Sequence, residues 1–227
     1  DTVFFCDTMK GIKGRTEEKK DMKEMQEQTL LPMTGIILAG GKSSRMGRNK
    51  AFLPLEGVPL IERSLAVMRA VFQEVLVSSN QPELYQKYGV KVVKDNYLEK
   101  APLGGLEACL REASYDYAFF AACDMPFLHG ELIRYMATML GQEEILVPEL
   151  EGRLHPLHAF YPKSCLPLLE KNLQTQQLKL AAVIQQYPQV HYLREKDLGN
   201  FPDLKRYLSN INTPEEWQAL VKITPEE

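Results

Sequence analysis

From residue 34 onward, short apolar runs alternate with segments whose apolar residues recur at helical spacing. The runs are rich in β-branched or aromatic residues and are bounded by turn residues, which is the pattern of strands. They predict strands at residues 35–39, 74–78, 90–93, 117–122, 145–148, 157–161 and 190–193. This alternation is typical of an α/β domain with a mainly parallel sheet. Because no repeat or linker interrupts the pattern, we predict a single domain over residues 34–227.

Three helices between the strands are predicted from apolar stripes, which we expect to face the core. The stripes consist of Leu60, Ile61, Ser64, Leu65, Met68, Val71 and Phe72, of Leu106, Cys109, Leu110 and Ala113, and of Leu132, Ile133, Met136, Met139 and Leu140. A fourth helix is predicted after Thr213, because Thr213 and Glu216 have the spacing of a capping box around Pro214. The residues expected on its buried face are Trp217, Leu220 and Val221.

Residues 1–33 differ from the rest of the chain. The stretch 11–28 is dense in Lys, Glu, Asp, Gln and Met and carries no sustained apolar face. We predict a flexible or adventitious N-terminal extension, with the native start at Met33 or at a methionine upstream of it. The alternative is a short amphipathic helix in this segment that docks on a partner protein.

Composition and charge exclude several classes of function. The 27 basic and 30 acidic side chains give a formal charge of -3, which provides no electrostatic attraction for nucleic acid. With 44% hydrophobic and 25% charged residues, the composition is that of an ordinary globular protein. The apolar runs are far shorter than the roughly 18 residues that a membrane-spanning helix requires. We therefore expect neither nucleic acid nor a membrane as a partner.

The cysteines indicate a reducing compartment. Cys6, Cys109, Cys123 and Cys165 are scattered without the C-x-x-C spacing of a zinc site or a redox pair, so we expect buried free thiols. The N-terminus shows no basic flank followed by an apolar core and a cleavage site, and no secretory signal is predicted. Together these features predict a cytoplasmic protein.

The segment 38–50, directly after the first predicted strand, has the composition of an anion-binding loop. Gly40 and Gly41 allow backbone N–H groups to approach a ligand closely. The cations of the loop are Lys42, Arg45, Arg48 and Lys50. Oriented amides, guanidinium forks and ammonium groups match the oxygens of phosphate, which makes phosphate the expected anion. The alternative is a tight strand-to-helix turn whose charges are only solvated.

Two common phosphate motifs do not fit this loop. Position 36, where a P-loop ending at Gly41 requires a glycine, is Ile36. Gly40 and Gly41 followed by Lys42 do not supply the G-x-G-x-x-G fingerprint of dinucleotide-binding proteins. Among the cations, Lys50 is followed by apolar residues, which would hold its ammonium group near the strand ends.

Asp124 follows the apolar strand predicted at residues 117–122. In open α/β sheets ligands bind beyond the carboxyl ends of the strands, so we expect Asp124 to face the same crevice as the glycine loop. Such a position suits Mg²⁺, which is held by one or two carboxylates together with substrate phosphates and water. The alternative is an Asx turn before Pro126, with the carboxylate capping the helix predicted at residues 129–140.

Weaker signals are expected at the same end of the sheet. Asn80 and Asp95 each follow a predicted strand, and Gly104 and Gly105 form a second glycine turn before a helix. Each of these features could contact a nucleotide or only turn the chain.

The histidines predict neither a metal site nor a nucleophile triad. His155 and His158 lie in an extended segment at a spacing that places them on opposite faces, so a shared metal is not expected. His129 is interpreted as a helix-start residue and His191 as a surface residue of a strand. Neither of these two has a nucleophilic Ser or Cys near it in the sequence.

Several motifs follow one another along the chain. They are Leu38-Ala39-Gly40-Gly41 with Arg45-Met46-Gly47 and Lys50, then Asp95, Pro102-Leu103-Gly104-Gly105, Cys123-Asp124-Met125-Pro126, His155-Pro156-Leu157 and Asn210-Ile211-Asn212-Thr213-Pro214-Glu215-Glu216. In this order they resemble the molybdenum cofactor guanylyltransferases, over about residues 34 to 220. The first motif is shared by many nucleotidyltransferases, whereas the last two narrow the resemblance to this family. Ala101 departs from it, because a glycine before Pro-Leu is common there.

The resemblance implies a three-layer α/β/α nucleotidyltransferase domain with a mainly parallel, Rossmann-like sheet of the nucleotide-diphospho-sugar transferase type. It implies transfer of GMP from GTP to the terminal phosphate of molybdopterin, with Mg²⁺, to give the guanine dinucleotide cofactor and pyrophosphate. The GTP-binding residues would be Leu38, Ala39, Gly40, Gly41, Lys50, Asn80, Asp95 and Asp124. The catalytic residues would be Arg45, Lys50 and Asp124, with Asp124 also holding the metal.

The resemblance also implies partners. GTP and molybdopterin would be the substrates, and transient contacts with proteins of cofactor biosynthesis or with acceptor proteins are expected. His155 and Asn212 are candidates for the pterin side. The residues leave three alternatives open: a cytidylyltransferase acting on molybdopterin, a sugar-phosphate nucleotidylyltransferase, and a non-catalytic nucleotide-binding module.

Overall fold

The computed structural model of the protein describes residues 29–39, 49–95, 97, 102–211 and 213–223. Contacts between Cα atoms divide the chain into two units, Asp1–Leu30 and Leu31–Glu227, and the α/β fold belongs to the second. Residues 1–28, most of the predicted extension, lie outside the described residues and include Cys6.

The described residues form ten strands and seven α-helices. The strands are β1 (Leu31–Leu38), β2 (Pro54–Leu55), β3 (Val58–Pro59), β4 (Phe72–Ser78), β5 (Lys91–Val93), β6 (Tyr117–Ala122), β7 (Ile145–Leu150), β8 (Arg153–Leu154), β9 (His158–Pro162) and β10 (Val190–Arg194). The helices are α1 (Leu60–Val71), α2 (Leu103–Glu112), α3 (Gly130–Thr138), α4 (Leu166–Gln174), α5 (Leu180–Ile184), α6 (Leu204–Tyr207) and α7 (Pro214–Ile223). In these ranges no helix has the length and apolar character needed to span a membrane.

All seven predicted strands are present, as β1, β4, β5, β6, β7, β9 and β10. β1 begins earlier than predicted, because Leu31 pairs with Phe72 at the start of β4. The sequence pattern did not predict β2, β3 and β8. Each of these has two residues, which is too short for an alternating pattern to be visible.

The three predicted apolar stripes lie on α1, α2 and α3 and pack into the core, except that each stripe runs past the end of its helix, with Ala113 following α2. Phe72, the last member of the first stripe, begins β4 instead of ending α1. α3 ends at Thr138, so Met139 and Leu140 follow the helix and pack partly buried against the core. These differences are confined to helix ends, where the last turn is decided by tertiary contacts.

The capping box of α7 is present. The backbone N–H of Thr213 donates to Oε2 of Glu216 at 3.2 Å, and the N–H of Glu216 donates to Oγ1 of Thr213 at 3.1 Å. Trp217 and Leu220 are partly buried, and the side chain of Val221 lies outside the described part.

The main sheet has the strand order β10-β7-β9-β6-β1-β4-β5, with β8 paired to β7. β1 is parallel to both of its neighbours, β6 and β4, and β5 is parallel to β4. β9 is antiparallel to β6 and to β7. The carboxyl ends of β6, β1, β4 and β5 therefore lie side by side at one edge, which we call the carboxyl edge.

Helices cover both faces of the sheet. Ile36 and Ile37 of β1 are both fully buried and point to opposite faces, because side chains alternate along a strand. Ile37 packs in a cluster with residues of α1 and α3, whereas Ile36 packs with residues of α2, α4 and α5. The predicted three-layer α/β/α architecture is confirmed. The central strands β1 and β6 are apolar on both sides over residues 35–37 and 118–122, because helices cover both faces of the sheet there.

Cys109, Cys123 and Cys165 are buried free thiols, as predicted. Burial raises the pKa of each of the three to about 12. They therefore stay protonated at neutral pH and act as small apolar side chains.

Gly35 is a position in β1 at which a side chain would collide with the core. A Cβ atom there would lie 2.7 Å from Cδ2 of Phe72 and 3.1 Å from Sδ of Met68. Both neighbours are buried, so neither can swing into solvent. We expect Gly35→Ala to lower the free energy of unfolding in urea by about 1–3 kcal/mol, the usual cost of overpacking.

Gly199→Ala is the matched control for this prediction. A Cβ at Gly199 would meet no heavy atom closer than 3.7 Å, and its φ of -60° suits alanine. We expect its unfolding free energy to change by less than about 0.5 kcal/mol. Equal stability of the two variants would contradict the close packing of β1 on Phe72.

Candidate functional site

The chain segments that follow β6, β1, β4 and β5 start side by side at the carboxyl edge. Backbone hydrogen bonds extend the sheet by one residue past these strands. The three bonds, each 3.0 Å long, join Cys123 N–H to the Leu38 carbonyl, Ala39 N–H to the Ser78 carbonyl, and Ser79 N–H to the Val93 carbonyl. Asp124, Ala39, Asn80 and Asp95 thus follow four neighbouring strand ends.

Ala39 is buried at this edge, and both of its backbone polar groups are bonded within the protein. Its N–H donates to Ser78, and its carbonyl accepts a 3.1 Å hydrogen bond from the hydroxyl of Tyr85. Burial raises the pKa of Tyr85, so this hydroxyl keeps its proton at neutral pH. The Ala39 N–H is therefore not free to act as one of the backbone amides that are predicted to bind phosphate. Gly40 and Gly41 lie outside the described residues.

Lys50 places its ammonium group between two other segments of the edge. Asn49 caps the short 3-10 helix that begins at Lys50 by accepting a 3.1 Å hydrogen bond from Ala51 N–H. Nζ of Lys50 donates to Oδ2 of Asp124 at 3.2 Å and to the carbonyl of Ile211 at 2.8 Å. The Lys50 and Asp124 side chains are 19% and 18% exposed, so water screens their attraction incompletely.

Asp124 is also bonded to the segment that precedes α7. Nδ2 of Asn210 donates to Oδ1 of Asp124 at 3.4 Å. The backbone N–H of Ile211 donates to the backbone carbonyl of Asp124 at 2.9 Å. The carboxylate of Asp124 thus has one oxygen near an ammonium group and the other near an amide.

The alternative that Asp124 caps the following helix is wrong. His129 occupies the N-cap of α3, where its Nδ1 accepts a 3.3 Å hydrogen bond from Leu132 N–H. This confirms the prediction that His129 is a helix-start residue. The carboxylate of Asp124 faces Lys50 instead.

Asp95 and Asn80 join the ends of β5 and β4. Oδ1 of Asn80 accepts a 3.0 Å hydrogen bond from Asp95 N–H, and Oδ1 of Asp95 accepts one of 2.7 Å from Tyr97 N–H. Gly104 lies so close that a Cβ there would be 2.5 Å from Oδ2 of Asp95. Gly104 and Gly105 lie within α2, not in a turn before it as predicted. The Asp95 carboxylate thus packs against the first turn of α2, and a side chain at position 104 would displace it.

The structure brings the described site residues together in two pairs. Lys50 contacts Asp124, and Asn80 contacts Asp95. The end of β1, with Leu38 and Ala39, lies between the two pairs because β1 is placed between β6 and β4. The residues that fall outside the described ranges are Gly40, Gly41, Lys42, Arg45, Arg48 and Asn212.

Three contacts at this edge were not predicted. They are those of Asn210 with Asp124, of Lys50 with the Ile211 carbonyl, and of Tyr85 with the Ala39 carbonyl, over separations of 86, 161 and 46 residues. The motif around Asn210 marks that segment as unusual, but no local pattern tells which strand end it meets. Tyr85 carries no such signal.

His158 lies fully buried at the amino end of β9. Neither ring nitrogen has a hydrogen-bond partner among the described residues, and the ring packs edge-on against Phe119 with 4.9 Å between ring centres. Burial lowers the pKa of His158 to about 3, so the ring is neutral at pH 7. The pKa of His155 is also lowered, first by burial and then by the charge of Arg153. Within the described ranges no group of three or more His, Cys, Asp and Glu side chains could hold a metal ion.

Comparison with known proteins places this arrangement in a family. Residues 35–190 match the model of the MobA-like NTP transferase domain. A Clostridium perfringens protein named Probable molybdenum cofactor guanylyltransferase is 37% identical over 202 residues, which cover 85% of this chain and 98% of that protein. The Molybdenum cofactor guanylyltransferase of Syntrophotalea carbinolica is 34% identical over 188 residues, which cover 82% of this chain and 89% of that protein.

A solved structure agrees with these matches. The Molybdopterin-guanine dinucleotide biosynthesis protein A of Archaeoglobus fulgidus has a TM-score of 0.73 and 25% identity, covering 84% of this chain and 98% of that chain. The fold, together with the domain match and the named relatives, defines a nucleotidyltransferase. Within that class, the chain belongs to the molybdenum cofactor guanylyltransferase family.

The unpaired ring of His158 should make the protein less stable in acid. Its pKa in the folded state, about 3, lies below the ordinary value of 6.5, so the unfolded chain binds the proton first as the pH falls. The stability that comes from the neutral His158 ring is therefore complete above pH 6.5, and it is lost progressively as the pH falls toward 3. When the pH is lowered from 7 to 5, the unfolding free energy of both proteins should fall. We expect it to fall by about 2 kcal/mol less in His158→Leu than in the original protein.

Urea denaturation of both proteins at the two pH values checks this expectation. The comparison uses the change within each protein, so a different stability of the variant at pH 7 does not affect it. Equal losses would show that the His158 ring finds a proton acceptor or solvent in the folded state.

Proposed function

We propose that the protein transfers GMP from GTP to the terminal phosphate of molybdopterin, forming the guanine dinucleotide cofactor and pyrophosphate. The observation that carries this proposal is the contact of Lys50 with Asp124 at the carboxyl edge. An ammonium group suits the oxygens of a triphosphate, and a carboxylate suits its metal ion. The names of the relatives support GTP and molybdopterin as the substrates.

GTP is proposed to lie along the half of the edge formed by β1, β4 and β5. The backbone amides for its phosphates would come from Gly40 and Gly41, since the Ala39 N–H is already bonded. The carboxylate of Asp95 and the side chain of Asn80 offer polar atoms to the ribose hydroxyls or the base. Leu38 and Ala39 would contact the nucleotide through their remaining surface.

Asp124 is the residue that we propose to hold Mg²⁺. A single carboxylate fits this ion, because substrate phosphates and water commonly complete its ligands. The side chain is partly exposed at the edge, and the groups near its two oxygens are both donors that a cation could replace. When bound, Mg²⁺ would neutralise charge on the triphosphate.

The residues of the chain can support the reaction by positioning and charge, without a general base. The terminal phosphate of molybdopterin is largely dianionic at neutral pH, because the second pKa of such a group is about 6. The barrier then arises from bringing two anions together and from the charge that develops on pyrophosphate. Arg45 and Lys50 would bind this charge, and Asp124 and Ile211 hold Lys50 in place beforehand.

The reducing cytoplasm is the compartment proposed for the protein. The three described cysteines are free thiols, which is typical of proteins kept in a reducing environment. Transient contacts with proteins that make or accept the cofactor stay a prediction from the family resemblance.

Replacing Asp124 with Asn should remove most turnover and keep the fold. The amide has the shape of the carboxylate and can still accept from Lys50, but it lacks the charge that binds Mg²⁺. With GTP, Mg²⁺ and molybdopterin, we expect Asp124→Asn to release pyrophosphate roughly 100-fold more slowly. Circular dichroism of the variant checks that it is folded.

The matched control is Asp116→Asn. Asp116 directly precedes β6, at the opposite end of the strand that leads to Asp124. We expect this variant, which loses the same charge, to turn over as the original protein does. Normal turnover by Asp124→Asn would show that the metal assignment is wrong. Tight GTP binding by the original protein without pyrophosphate release would indicate a non-catalytic nucleotide-binding module.

The choice of nucleotide is tested by thermal shifts with GTP, CTP, UTP and ATP, each with Mg²⁺. A ligand that binds only the native state raises the apparent Tm, and at 100 times its Kd it adds about 2.7 kcal/mol of stability. We expect GTP to give the largest shift. Selective stabilisation by CTP would instead identify a cytidylyltransferase.

A further inference from the structure

The carboxyl edge has a second half, which β1, β4 and β5 do not form. At this half, a guanidinium group is held on an aromatic ring. The guanidinium carbon of Arg206 lies 4.1 Å from the ring centre of Phe127, in a cation–π contact. Phe127 belongs to the turn that follows Asp124, and Arg206 lies on α6, which leads to Asn210. Two segments that meet at Asp124 therefore also meet at this contact.

α6 is attached to the half of the edge that β1, β4 and β5 do not form. Tyr207 stacks on the ring of His129 with 4.4 Å between ring centres. Lys205 forms an ion pair with Glu151, directly after β7. Because GTP is proposed to occupy the half formed by β1, β4 and β5, α6 borders the space that remains for the acceptor.

Arg206 differs in its partners from two nearby cations, Lys205 and Arg194. In the described part of the chain, no carboxylate lies within ion-pair distance of its guanidinium, and none of its side-chain N–H groups donates a hydrogen bond. Lys205 is paired with Glu151, and Arg194 with Glu149 at 3.5 Å. Arg206 is exposed, so its donors are open to a ligand.

We propose that Arg206, oriented by Phe127, binds the terminal phosphate of the pterin acceptor, an inference that rests on the proposed function. A guanidinium group presents parallel N–H donors that match two oxygens of one phosphate. Stacking on Phe127 restricts the side chain before binding, so less conformational entropy is lost when the phosphate arrives. The charge of Arg206 also reduces the repulsion between this phosphate and the triphosphate of GTP. Arg206 forms no covalent bond in the reaction and acts by binding.

Steady-state kinetics of the full chain with Mg²⁺ test this role, with molybdopterin varied at saturating GTP and GTP varied at saturating molybdopterin. We expect Arg206→Gln to raise KM for molybdopterin by about 10-fold to 100-fold, the range for a lost hydrogen bond between charged groups, and to change KM for GTP by less than about twofold. Arg206→Lys keeps the charge without the fork and should lie between. Phe127→Leu removes the ring and should raise KM for molybdopterin less than Arg206→Gln does.

Lys205→Gln is the matched control, because it removes the same charge from the neighbouring position of α6 and breaks only the pair with Glu151. We expect both of its KM values to change by less than about twofold. An equal rise in KM for molybdopterin in Lys205→Gln and Arg206→Gln would assign the effect to general charge attraction and overturn the proposal. An unchanged KM in Arg206→Gln would show that this residue only packs on Phe127. If the original protein releases no pyrophosphate, the proposed function fails, and this inference fails with it.

Discussion

The ammonium group of Lys50 joins three distant segments of the chain at the carboxyl edge. Asp124 and the carbonyl of Ile211, which accept hydrogen bonds from this ammonium group, are 74 and 161 residues away in the sequence. Both charged side chains are mostly buried, so removing either one would leave a charge that water solvates poorly. The short 3-10 helix that begins at Lys50, the end of β6 and the segment before α7 are thereby held at one place.

The antiparallel strand β9 gives this edge two different halves. On one side of β6, the parallel strands β1, β4 and β5 all end at the edge, and their following residues include Asn80 and Asp95. On the other side, β9 begins at this edge, and α6 packs against the turn after β6. In the proposed reaction, the nucleotide donor and the phosphorylated acceptor would approach Asp124 from opposite sides. This arrangement suits transfer between two anionic substrates.

Several titratable groups near the site are kept neutral by burial. The site therefore relies on the permanent charges of its lysine and carboxylate side chains. Burial raises the pKa of Cys123, next to Asp124, to about 12, and it also raises the pKa of Tyr85. Burial lowers the pKa of His155 and of His158. At neutral pH none of these four supplies a thiolate, a phenolate or an imidazolium. A dianionic acceptor phosphate needs no base, so their neutrality is consistent with the proposed reaction.

Local residue patterns were sufficient for the seven longer strands, for α1, α2, α3 and α7 and for the capping box of α7, because burial of a face and capping of a helix act over a few neighbouring residues. They did not predict α4, α5 and α6. They also marked the segments that meet at the site. They could not show that Lys50 and Asp124 share Ile211 and Asn210, or that Gly104 accommodates Asp95. Those contacts depend on which strand ends lie side by side. The order of the strands within the sheet is decided by packing of the whole sheet, not by residues that are adjacent in the sequence.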